Sequence, residues 1–231
     1  MKTQILNDQD ILNQLSEADK AMLRAGKRTG MVQLENLYLE GFHISSISAK
    51  LSVKDMQLLI HPKYLAPKRP EYLTDTEVEA LEKGETTNIE KTVKGKTLLV
   101  EFDADTNEYL MSDEERIQAP DHVNSEPISP DQKERFRKGK EVKLEDGTIL
   151  QYTASEPEGI RSNRIALIAS IIVDGGVSFM LYHGLKALLG KKHDERASEQ
   201  SKGYKQALED SKKATPRLDL NQSHGRKGPS R

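Results

Sequence analysis

Three stretches of the chain share one order of apolar and polar positions, spaced about 55 to 58 residues apart: Leu15-SEADKAMLRAGK, Leu73-TDTEVEALEKGE and Ile128-SPDQKERFRKGK. Each begins with an aliphatic residue and a hydroxyl (Ser16, Thr74, Ser129). Three positions later comes Asp19, Glu77 or Gln132, then Leu23, Leu81 or Phe136, and finally Gly26, Gly84 or Gly139. A hydroxyl followed three residues on by Glu or Gln is a capping box, in which side chain and backbone satisfy each other's orphan groups at a helix start. Asp19 is a shorter variant of it. The glycine suits the left-handed residue that ends a helix, and Pro130 stands where a missing N–H costs nothing. The pattern predicts three helices of two to three turns. Helices that short do not persist alone in water, so each must pack on a neighbouring segment.

The segments after the three glycines read as strand. After Gly139, Glu141-VKLEDGTILQYT alternates apolar and polar residues on both sides of Asp146-Gly147, a hairpin signal. After Gly84 the pattern gives a run to about Val93, a Lys94-Gly95 turn, then Thr97 to Phe102 and Glu108 to Met111. After Gly26, Met31-VQLENLYLEGFHISSISAKLS and Met56-QLLIHPKY form two or three strands. The expected fold class is therefore α+β: three diverged units of a short helix and a small antiparallel sheet, at 1–70, 71–127 and 128–160. Prolines 62, 67 and 70, then 120, 127 and 130, punctuate the unit boundaries.

From Ile165 to Leu189 the chain reads IALIASIIVDGGVSFMLYHGLKALL, the one stretch apolar enough to raise a membrane span, over residues 165–182. Asp174 at its centre costs about 2.5 to 3.5 kcal/mol on insertion, against about 0.3 to 0.6 returned by each Ile, Leu, Val or Phe. A span is disfavoured on that balance. The preferred reading breaks 161–190 at Asp174-Gly175-Gly176 into two apolar helices. In the second, Val177, Met180, Leu181, Leu185 and Leu188 fall on one helical face and form an expected interaction surface for a protein partner or for self-association.

Charge changes the picture of the C-terminus. From Lys191 to Arg231 there are 11 Lys and Arg against 6 Asp and Glu, a net of +5, and residues 164–190 add +1; since the whole chain carries −2, the first 163 residues carry −8. The 191–231 segment reads as a basic, solvated, disordered tail. It offers Lys191, Lys192, Lys202, Lys205, Lys212 and Lys213, with Arg217, Arg226 and Lys227, as possible nucleic-acid contacts. Hydrophobic residues make up 35% and aromatic residues 5% with no Trp, which favours one or two small cores over one large core. There is no Cys, hence no disulfide framework or Cys-ligated metal. The N-terminus lacks the apolar run of a signal peptide, and the expected location is cytoplasmic, with inner-membrane association as the alternative.

Candidate chemistry is sparse. None of the six histidines (His43, His61, His122, His183, His193, His224) has a metal-site spacing, and His43 and His61 read as ordinary strand or turn residues. Asp103, Asp105, Asn107 and Glu114 partly follow a calcium loop, but the loop lacks its glycine and runs into strand-like Tyr109-Leu110-Met111. A polar hairpin turn explains them better. No catalytic residue, cofactor or metal is expected.

Taken in order, Gly26-KRTGMVQLENLYLEGFHISSISAKLSV, His61-Pro62, Leu73-TDTEVEALEKGE, Lys94-GKTLLVEFDADTNEYL and Ile117-QAPDHVN leading to Ile128-SPDQKERFRKGKEVKLEDG resemble a pair of adjoining domains of unknown function. These occur in Bacteroidetes proteins often encoded on conjugative or other mobile elements. The likeness covers residues 15 to 160. It implies no activity or catalytic residue, and an accessory role beside DNA-transfer or replication proteins. The expected function is thus a non-catalytic accessory or protein-interaction module. The alternatives are a nucleic-acid-binding protein acting through its tail and a protein anchored in a membrane by residues 165–182.

Overall fold

The computed structural model describes residues 8–39, 42–173, 176–183, 185, 188 and 202–214. A six-residue helix, α1 (Asp8–Asn13), precedes three eight-residue helices at the hydroxyl-capped starts: α2 (Glu17–Arg24), α3 (Asp75–Glu82) and α4 (Pro130–Arg137). Thr74 and Ser129 make full capping boxes with Glu77 and Gln132. At α2 the Asp19 carboxylate is too short to reach back to the cap N–H, and it accepts instead from the Ser16 hydroxyl at 2.5 Å. Gly139 closes α4 at φ +62°, and an added Cβ there would collide with the Asn88 side chain.

Strands follow α2, α3 and α4. β1 (Val32–Leu39), β2 (Phe42–Lys54) and β3 (Gln57–Pro62) form an antiparallel meander. β4 (Asn88–Val93), β5 (Lys96–Asp103) and β6 (Glu108–Asp113) form a second. Two short strands, β7 (His122–Val123) and β8 (Glu126–Pro127), come before α4, and after it β9 (Val142–Lys143), β10 (Ile149–Tyr152) and β11 (Ile160–Ser162) make a third sheet ordered β11-β10-β9.

The 165–189 stretch departs from its expected form. It is a β-hairpin, β12 (Ala166–Val173) and β13 (Gly176–His183), in register from Ala166↔His183 to Val173↔Gly176. The break falls where expected, between Val173 and Gly176, but strands flank it. A strand covered on both faces needs apolar residues at consecutive positions, and such a run is indistinguishable by periodicity from a buried helix. That is the situation of β12. Leu167 and Ala169 pack into the main core on one face, while Ile168 is covered on the other by α5 (Lys202–Ala214) through Tyr204 and Ala207. The 202–214 part of the basic tail is accordingly a docked helix rather than a disordered extension.

Two cores result, with a small third under α5. The first sheet closes over α1 and α2 through Ile11, Leu23, Leu34, Leu37 and Leu51. The other core draws Leu99 and Leu150 from the second and third sheets, Phe136 from α4, Val123 from β7, and Leu167 and Tyr182 from the hairpin. The hairpin belongs to it because β12 pairs with β7, giving the sheet order β13-β12-β7-β8.

Candidate functional sites: a buried ionic network, a cleft and a free sheet edge

Ala49, Lys50 and Leu51 are all buried in β2, so the strand carries a lysine into the interior, where its side chain is 1% exposed. Lys50 Nζ lies 2.9 Å from both Asp103 carboxylate oxygens, 3.0 Å from Asp105 Oδ2 and 2.8 Å from the Ser155 carbonyl. Arg28 donates to Thr106 Oγ1 at 3.1 Å and to Glu108, and stands 3.9 Å from Asp103. A second buried carboxylate, Glu101, accepts from the Thr153 hydroxyl, from Ser155 Oγ at 2.5 Å and from the Ala154 N–H at 2.7 Å. Arg161 reaches the same Ser155 hydroxyl at 3.2 Å and Glu156 at 3.1 Å. Burial pushes Glu101 above the usual carboxylate range, and the bonds from Ser155, Thr153 and Ala154 with the Arg161 charge offset this only in part.

This network joins the first sheet to the second, to the 153–159 loop and to β11. It also engages Asp103 and Asp105 of the residues that sequence spacing allied with a calcium loop, both on Lys50, while Asn107 donates to the Tyr64 carbonyl at 2.8 Å. No group of His, Cys, Asp and Glu with the makings of a metal site occurs among the described residues. The Lys50 amine is wrapped by acceptors, and its side chain is 1% exposed, so it serves to hold the strands that carry those acceptors.

At the network's edge Ser52 Oγ lies 2.8 Å from His61 Nε2, and His61 Nδ1 lies 3.3 Å from Glu108 Oε1. The order is that of a nucleophile, a base and an orienting acid. Ser52, however, sits inside the β2–β3 ladder opposite Leu59, and it lines neither of the clefts that open beside the network. The trio ties β2, β3 and β6 together. Burial and then the Arg28 charge lower the His61 pKa below its ordinary 6.5, against the opposing pull of Glu108. The sign of the pH effect is fixed by this: as pH falls through about 6.5 the unfolded imidazole gains a proton that the folded one refuses, so stability drops until the lower folded pKa is passed. His61→Gln is expected to flatten the difference in unfolding free energy between about pH 7.5 and about pH 5.5, as read by urea melts.

A cleft of about 730 Å³ opens between β5–β6, β10, the 153–160 loop and β13. Its lining includes apolar Phe136, Ile160, Ile171 and Met180, the tyrosines Tyr152 and Tyr182, and the cations Lys27, Lys96 and Arg116. A second cleft of about 240 Å³ is lined by Glu101, Asp103, Ser155 and Arg161, groups already engaged in the network.

The expected docking face is redistributed. Strand alternation turns Met180 inward toward the main core, while Leu185 and Leu188 are buried. Val177 and Leu181 remain on the outer face at 51% and 49% exposure, beside Ile172 at 52%. The helical stripe thus does not exist as a surface, because residues three and four apart in a strand point to opposite faces or lie far apart along it. β13 ends its sheet, and among the described residues no strand pairs with its other edge. Of the tail lysines, Lys202 opens α5, and Lys205, Lys212 and Lys213 are exposed on it, with Lys213 3.8 Å from Asp210. Lys191, Lys192, Arg217, Arg226 and Lys227 lie outside the described residues. No helix among the described residues is long and apolar enough to cross a membrane.

Sequence reasoning missed the ionic network, since Arg28, Lys50, Glu101, Asp103 and Glu108 share no spacing. One signal was available, a lysine between the apolar Ala49 and Leu51 within a strand. Compared with family models, curated proteins and solved structures, the chain matches none.

Proposed function

We propose that this chain is a non-catalytic interaction module that associates with a second copy of itself along the free edge of β13. The observation that carries the reading is the edge itself, unpaired among the described residues. Gly176–His183 spans eight residues without Lys, Arg, Asp, Glu or Pro. Soluble proteins ordinarily blunt such an edge with charge, proline or a bulge. A second copy suits it because antiparallel pairing of one uncharged strand with itself brings no like charges together. It also sets the exposed Val177 and Leu181 of each copy on the same extended face as Ile172. A contact of this kind is isologous and closes as a dimer. An accessory role beside DNA-transfer proteins, implied by the resemblance in sequence, is compatible with a dimeric scaffold.

Light scattering on the purified chain is expected to give a dimer that dissociates on dilution. Val177→Lys with Leu181→Lys is expected to give a monomer with unchanged circular dichroism, since both side chains face outward. A wild-type chain that remains monomeric at about 100 μM, well above a micromolar Kd, overturns the proposal. So does a double variant that remains dimeric.

A further inference from the structure

We infer that the 730 Å³ cleft binds a small amphipathic anion, its charged head on Lys27 and Tyr182 and its hydrocarbon or aryl body on Phe136, Ile160, Ile171 and Met180. The volume lies within the range of small-molecule sites, which combine an apolar lining with a few placed polar groups. Two donors on the cleft wall hold weak acceptors. Lys27 Nζ makes a long hydrogen bond of 3.4 Å to the Glu158 carbonyl and stands 5.7 Å over the Tyr182 ring. The Tyr182 hydroxyl donates to the Met180 thioether at 3.3 Å, and a thioether is a poor acceptor. An anionic oxygen makes stronger, charge-assisted bonds to both and displaces little.

The remaining charges direct the ligand to that end. Lys96 and Arg116 share Asp113, at 3.3 and 3.9 Å, so the opposite wall is already compensated. Arg28 is taken by Glu108, and Glu156 by Arg161. The Glu158 carboxylate acts on Tyr182 and, with burial as the larger cause, lifts the phenol to about 12, so the hydroxyl stays a donor at neutral pH. The same carboxylate limits the ligand to one negative charge. Tyr182 is fixed by β13 and Lys27 by the turn after α2, so the head group site needs the first unit and the hairpin together.

The test uses the full chain, anilinonaphthalene sulfonate as a fluorescent probe, decanoate as competitor and decanol as its uncharged counterpart. Decanoate is expected to displace the probe at least roughly tenfold more effectively than decanol. Lys27→Met and Tyr182→Phe, checked for an unchanged melting temperature, are each expected to weaken decanoate roughly tenfold. Three results overturn the inference: equal competition by decanol, decanoate affinity unchanged in both variants, or a decanoate Kd weaker than about 1 mM. Probe binding that is lost in Leu181→Lys and kept in Lys27→Met also overturns it, by placing the probe on the β13 face.

Discussion

Asp103→Ala is expected to lower the unfolding free energy by about 3–5 kcal/mol, because it leaves the Lys50 ammonium buried with too little compensation. Asp105 and the Ser155 carbonyl remain near Lys50 Nζ, at 3.0 and 2.8 Å, but Asp105 is 40% exposed and partly spends its charge on solvent. The loss should sit at the lower end of that range if Asp105 turns inward. Breaking a buried pair and removing it are different operations. Lys50→Met combined with Asp103→Leu replaces the pair by apolar volume and is expected to recover most of the stability, giving a large coupling energy in a double-mutant cycle. Urea unfolding of the four proteins measures it. A single-variant loss below about 1 kcal/mol, the size of an exposed pair, would show that water reaches Lys50 in solution. Because the pair joins the first sheet to the second, the destabilisation should be seen by probes in both.

Gly203→Ala is expected to undock α5. Gly203 lies in the first turn of α5, and a Cβ there would fall far inside contact distance of the Asn124 carbonyl oxygen, a backbone atom. Asn124 cannot yield. Its N–H donates to the Ile168 carbonyl at 2.8 Å, its side-chain oxygen accepts from the Ile168 N–H at 3.2 Å, and its backbone occupies φ +50° in the β7–β8 turn. The helix must lift instead, exposing Ile168, Tyr204 and Ala207. Burial of Tyr and Ile side chains at about 1.5–3 kcal/mol each exceeds the gain of about 1 kcal/mol that Ala brings to helix propensity. Hydrogen exchange and tryptic cleavage at Lys205, Lys212 and Lys213 should both accelerate in the variant. Unchanged protection would show that α5 does not rest on the hairpin.

The same two sites mark the limit of what the chain's local patterns reveal. The hydroxyl starts at Ser16, Thr74 and Ser129, followed three residues on by Asp, Glu or Gln, act over three residues, so they were legible, and so were the strands around Lys94-Gly95 and Asp146-Gly147. α1 escaped notice although it carries the adjacent apolar Ile11 and Leu12, and β7, β8 and β11 are too short to alternate visibly. The apolar run from Ile165 announced burial without saying in which backbone form. Strand won because β7 offered a partner for β12, the main core took Leu167 and Ala169, and α5 took Ile168.

By itself, the sequence determined where α2, α3 and α4 begin, where most strands and turns fall and that the class is α+β. Only the tertiary structure decided that Lys50 meets Asp103, that Lys27 stands over Tyr182 and that β13 is left at an edge. Local capping, alternation and turn chemistry act within a few residues and are written in consecutive positions. Ion pairs, clefts and edges depend on which strands become neighbours, and the partners here are separated by 53 residues for Lys50 and Asp103 and by 131 for Lys27 and Glu158. Their chemistry has no spacing to be read, because contact is made by the pairing of elements and not by the order of residues.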